Sequence, residues 1–147
     1  MILLEEAVER YALAASDFGI RVSRRRSARQ AHRELAQFEK QLPGLRLPAE
    51  VRHLWATWQP QSFGSLLFDG LYRLEEVGSV HRRDISLGFP SVCLPLTYIE
   101  KAGVWVELET YEHPGGRIYH TYYDDAALQL WCVGVSGLLH LVSETIE

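Results

Sequence analysis

The sequence predicts an α+β fold, a single domain in which helices flank a mostly antiparallel or mixed sheet. Three observations carry that expectation. Helical apolar spacing fills the first third of the chain, strand alternation around a strong turn signal fills the last third, and the two textures do not interleave as they would in a parallel α/β sheet. With 147 residues, 47% of them hydrophobic, the chain is long enough for one substantial core and too short for two comfortable ones. One domain over residues 1–147 is expected, with a core of roughly 35–147 and two extra N-terminal helices, the first 34 residues forming a helical extension.

Leu4, Ala7, Val8, Tyr11, Ala12 and Ala15 recur at helical spacing, which predicts a helix from about residue 3 to 16. Glu5, Glu6 and Glu9 face away from that stripe, near the positive end of the dipole. Ser16-Asp17-Phe18-Gly19 is a turn, and Ala28, Ala31, Leu35 and Phe38 mark a second helix that ends before Pro43-Gly44. Pro48 suits the first turn of a third helix, whose stripe is Val51, Leu54, Trp55 and Trp58, with Pro60 beyond its end. Leu66 to Leu74 is a short strand candidate interrupted by Asp69-Gly70, and Leu74 to Val80 a helix candidate.

From Pro90 onward the pattern is that of strands. Val92 to Ile99 forms one, and Val104 to Glu109 another, with Val104, Val106 and Leu108 on one face and Trp105, Glu107 and Glu109 on the other. His113-Pro114-Gly115-Gly116 is a turn signal, so Arg117 to Tyr123 is expected to return antiparallel, bringing Tyr119 near Glu109 and Thr121 near Glu107. Leu128 to Val133 is either a further strand or the lead-in to a last helix, for which Ser136 is the expected N-cap and Leu138, Leu139 and Val142 the buried face.

Net charge is −4 and unevenly spread. Residues 18–33 hold six arginines and no acid, whereas residues 100–147 hold eight acids against Lys101 and Arg117. The balance disfavours general nucleic-acid binding. The arginines Arg21, Arg24, Arg25, Arg26, Arg29 and Arg33 are expected to spread around a helical segment and to pair with acids elsewhere. Cys93 and Cys132 form no CxxC pair, which fits small buried thiols and a reducing, cytoplasmic setting. The opening MILLEEAVER has neither a signal peptide nor a membrane span, so no membrane partner is expected.

The second half resembles the SUKH superfamily, which groups cell-wall-synthesis regulators with bacterial toxin-immunity proteins. The resemblance lies in LPAEV at residues 47–51 leading a helix with Trp55, FPSVCLPL at 89–96, GVWVEL at 103–108, GGRIYHTYYDD at 115–125 and the apolar C-terminal helix. It covers roughly residues 35–147; TWQPQSFGS stands where the family often has an Asn-Gly pair. It implies a sheet flanked by helices, no cofactor, and a function exerted through protein contacts.

No catalytic site is expected. The six histidines lack HxxxH, HExxH or Cys/His spacing, so no metal is expected, and Ser136 in GVSGL is not a nucleophile elbow. Glu107, Glu109, Asp124 and Asp125 are expected to converge; as a carboxylate group they suit acid–base or cation chemistry, a solvated sheet face, or a patch for a basic partner. The last reading is preferred: Trp105, Glu107, Glu109, Tyr119, Tyr123, Asp124 and Asp125 form an exposed partner-binding surface, acids steering the encounter and rings anchoring it. With the resemblance, this points to an immunity protein that neutralises a cognate bacterial toxin by direct binding, the partner being a toxin domain with a basic cleft such as that of a nuclease. A scaffold for an endogenous partner is the alternative, and a small metal-dependent hydrolase a further one.

Overall fold

The computed structural model describes residues 3–25, 27–59, 71–99, 102–121 and 128–146. Among them, helices α1 (Leu4–Ser16), α2 (Ala28–Lys40), α3 (Ala49–Thr57) and α4 (Leu74–Ser86) precede strands β1 (Cys93–Ile99), β2 (Ala102–Glu107), β3 (Arg117–His120) and β4 (Gln129–Val133), and α5 (Gly134–Ile146) closes the order. The strands form one antiparallel meander in the order β1-β2-β3-β4. The predicted α+β class is what the backbone adopts.

Each helix forms where its apolar stripe has something to cover. Val8, Tyr11 and Ala15 of α1 are fully buried against α5, in the same core as Trp55 of α3 and Ile118 of β3. The first helix therefore packs into the main core. Helix α2 is capped by Ser27, whose Oγ accepts the Gln30 N–H at 3.3 Å, and buries Ala31, Leu35 and Phe38. Pro48 sits one residue outside α3 as its N-cap, and Val51, Leu54, Trp55 and Trp58 are all buried.

The sheet has two unlike faces. Leu94, Leu96, Val104, Val106 and Ile118 point into the core that they share with the apolar stripes of α3 and α5. Helix α4 begins in that core, with Leu74 and Val77, and ends against the opposite face, where His81 Nε2 donates to the Ser91 carbonyl at 2.8 Å and Asp84 meets Trp105. Leu71 bridges Thr97 and the Tyr72 N–H donates to the Leu96 carbonyl at 2.8 Å, which covers part of the outer edge of β1. The rest of the strand expected over Leu66 to Leu74, through Gly70, lies outside the described residues.

Ser136 is not the cap of the last helix. Helix α5 starts earlier, at Gly134, whose φ of +80° suits glycine, and Glu50 of α3 replaces the local cap: its Oε2 accepts the Ser136 N–H at 3.2 Å. A carboxylate at a helix N-terminus gains from the dipole as well as from the hydrogen bond. A Cβ at Gly134 would stand 2.3 Å from Glu50 Oε1, so the glycine also makes room for this cap. No helix among the described residues is long and apolar enough to cross a membrane.

Candidate interaction surface

The hairpin register decides where the candidate site residues lie. Trp105 pairs with Tyr119 and Val106 with Ile118, so Glu107 falls beside Arg117 and not beside Thr121. The expected pairing of Tyr119 with Glu109 is overturned. The reason lies in residues 109–116, which make a wide loop in place of a tight turn. Glu109 pairs antiparallel with Arg46, each backbone N–H donating to the other's carbonyl (2.7 and 2.9 Å), while the Gly116 N–H donates to the Glu107 carbonyl at 2.8 Å. Gly115, at φ +71°, passes so close to this strand that a Cβ would come within 2.7 Å of Glu107 O.

Trp105 is buried and not an exposed anchor. Its ring stacks on Phe89 at 5.1 Å between centroids, lies across Gly103, and donates from Nε1 to Asp84 Oδ2 at 3.0 Å. Glu107 is also buried: its carboxylate accepts from Arg117 Nε at 3.0 Å and Nη2 at 2.5 Å, a bidentate pair that neutralises its charge. The same pair raises the Arg117 pKa further, chiefly through that hydrogen bond. The Glu107 carboxylate is therefore engaged by Arg117 and is not free for a partner. Glu109 and Tyr119 are half-buried, and Tyr122, Tyr123, Asp124 and Asp125 lie outside the described residues.

Alternation correctly placed Trp105 and Glu107 on the face away from the core. It did not reveal that α4 and Phe89 cover that face over β1 and β2. Over β3 and β4 the same face is open. Tyr119 pairs with Leu130 and Arg117 with Val133, and these two β4 residues are 58% and 68% exposed. Leu130 and Val133 share a face although three residues apart, because the register shifts between Ile118 and Tyr119. The extra residue, Trp131, turns with Cys132 toward the core, and its ring lies 5.2 Å from that of His120.

Two further features adjoin this sheet. Tyr111 is fully exposed in the loop joining β2 to β3, next to exposed Glu112, and the loop is held by Thr110 N–H to His113 O (2.9 Å) and His113 N–H to Thr110 Oγ1 (3.1 Å). Strand β4, QLWCV, has no charged residue or proline, and no further strand pairs with its outer edge among the described residues. Sequence reasoning missed Leu130 and Val133 because the bulge breaks simple alternation; the absence of charge in β4 was the signal available.

The described residues include no group of three or more His, Cys, Asp or Glu that could hold a metal ion. Burial pushes the Cys93 and Cys132 thiols up to about 11, the charge of Glu107 adding to the effect at Cys93. Both are accordingly protonated and weakly nucleophilic near neutrality. No family model, curated protein or solved structure matches the chain.

Proposed function

We propose that the chain is a protein-binding module, and specifically an immunity protein that neutralises a toxin domain by occupying its basic cleft in the cytoplasm. The observation that carries this reading is the open half-face of the sheet, where Leu130 and Val133 stand in water beside Tyr119. Large apolar side chains grouped on a rigid strand pair gain free energy when a partner covers them, and aromatic neighbours supply anchors. Charge supports a basic partner, since Glu109 and Glu112 belong to the adjoining loop and Asp124 and Asp125 follow β3 in sequence. The LPAEV helix, GVWVEL–GGRIYH hairpin and closing helix that underlie the SUKH resemblance occur here as α3, β2–β3 and α5.

Trp105 and Glu107 are not assigned to the contact; they build its support. The contact is instead assigned to Tyr111, Tyr119, Leu130 and Val133, with Glu109, Asp124 and Asp125 steering and Tyr123 as a further anchor. Replacing Leu130 and Val133 together by Ser should weaken partner binding by roughly tenfold or more while leaving the melting temperature within a few degrees. Replacing Glu109, Asp124 and Asp125 by Ser or Asn should slow association and flatten its salt dependence. Unchanged affinity in the first variant rejects the surface, and unchanged association kinetics in the second reject the steering.

A further inference from the structure

We propose that the arginine segment before α2 builds an anion-binding groove that takes a small phosphorylated molecule. The segment does not continue the helix, as its spacing suggested. The Arg25 N–H donates to the Thr57 carbonyl at 2.9 Å and the Gln59 N–H to the Ser23 carbonyl at 3.0 Å, which pins residues 23–25 antiparallel to the end of α3. The Arg24 guanidinium lies 4.4 Å from the centre of the Trp58 ring.

So held, the segment opens onto a groove of about 470 Å³ lined by Arg24, Arg25, Arg52, His32 and His53. That volume falls in the ~300–1,000 Å³ range of small-ligand sites. Ala28, Ala49, Ala56 and Thr57 line the remainder, so no long side chain fills that part of the space. Ala28 is also the first residue of the 13-residue helix α2, which adds the positive end of its dipole.

The arginines are oriented but not exhausted by their protein contacts. Glu5 meets Arg24 at 3.5 Å and His53 at 2.7 Å, and Glu39 binds Arg52 through Nε at 3.0 Å and through Nη2. Arg25 donates from Nε to the Trp58 carbonyl at 3.1 Å. A guanidinium has five N–H donors, so each of the three keeps donors for a ligand, in a fork that fits phosphate oxygens. Neither Glu5 nor Glu39 lines the groove, and two carboxylates do not balance three guanidiniums. A groove-sized phosphate meets this local field, whereas a long polyanion would also meet the repulsion of an acidic chain of net charge −4.

The test titrates the full chain with inorganic pyrophosphate, with AMP and with a short single-stranded oligonucleotide, read by calorimetry and tryptophan fluorescence. Saturable one-to-one binding of pyrophosphate or AMP is expected, weakened roughly tenfold or more by Arg25→Ala and partly retained in Arg25→Lys. Arg52→Ala, which keeps the backbone bridge intact, provides the same readout if Arg25→Ala fails to fold; Arg82→Ala should bind as the unaltered chain does. Absence of saturation by both small probes, binding indifferent to Arg25→Ala and Arg52→Ala, or binding of the oligonucleotide alone would each overturn the proposal.

Discussion

The closed half of the sheet face depends on one hydrogen bond whose removal has a calculable cost. Asp84 lies in the last turn of α4, where a carboxylate opposes the negative end of the dipole, and it is only 5% exposed. Its compensation is the Trp105 Nε1–H at 3.0 Å; Arg83, at 3.8 Å and largely in solvent, adds little. Trp105→Phe keeps a ring against Phe89 and removes the donor. A hydrogen bond to a charged group is worth about 1.5–3 kcal/mol, so with the lost ring volume the substitution should cost about 2–4 kcal/mol. Urea unfolding of Trp105→Phe, Asp84→Ala and the double variant should give a coupling of about 1.5–3 kcal/mol, because either change alone already removes the bond. Additivity within about 0.5 kcal/mol would refute the contact and, with it, the closure of this face by α4.

The other expectations concern local geometry and pH. Gly115→Ala should destabilise the chain more than Gly116→Ala: both have positive φ, and Ala there costs about 1–2 kcal/mol, but only at Gly115 would the new Cβ strike backbone. Comparison of the two thermal midpoints checks this. Glu50→Ala should lower stability by about 0.5–2 kcal/mol in chemical denaturation, through loss of the carboxylate at the start of α5. Burial raises Tyr11 from 10.0 to about 12 and Cys93 from 9.0 to about 11, so the unfolded chain loses these protons first. Their stabilising effect is complete below about pH 9 and is lost as pH rises toward 12; Tyr11→Phe should flatten the decline between pH 10 and 12, and an unaltered slope would contradict the assignment. Both thiols should react slowly with a disulfide reagent at neutral pH and readily after denaturation.

Legibility of the sequence followed the range of the forces involved. The spacing of Val8, Tyr11 and Ala15 and the alternation of Val104, Val106 and Leu108 are local, and the structure buries all six. The hairpin was visible in its turn residues, but its register was not, since Glu109 is drawn away by the backbone of Arg46, far off in sequence. Periodicity likewise separated Trp105 from the core face without disclosing that a helix residue, Asp84, would receive its N–H. The cap of α5 illustrates the same limit: Ser136 is the local candidate, yet the carboxylate comes from Glu50. The open site on β4 depends on a bulge, which shifts two side chains at once and escapes a two-residue period.

Photo-cross-linking tests the central assignment most directly. A photoreactive residue is placed at Leu130, at Val133, or at Leu13, a still more exposed apolar position on α1. The chains are expressed in the native cell, and each protein captured is purified for binding to the unaltered chain. One protein should be joined through positions 130 and 133 and not through 13, with a basic surface and with affinity that falls in the Leu130→Ser, Val133→Ser variant. Capture through position 13 alone, or a partner whose affinity ignores both serines, would contradict it.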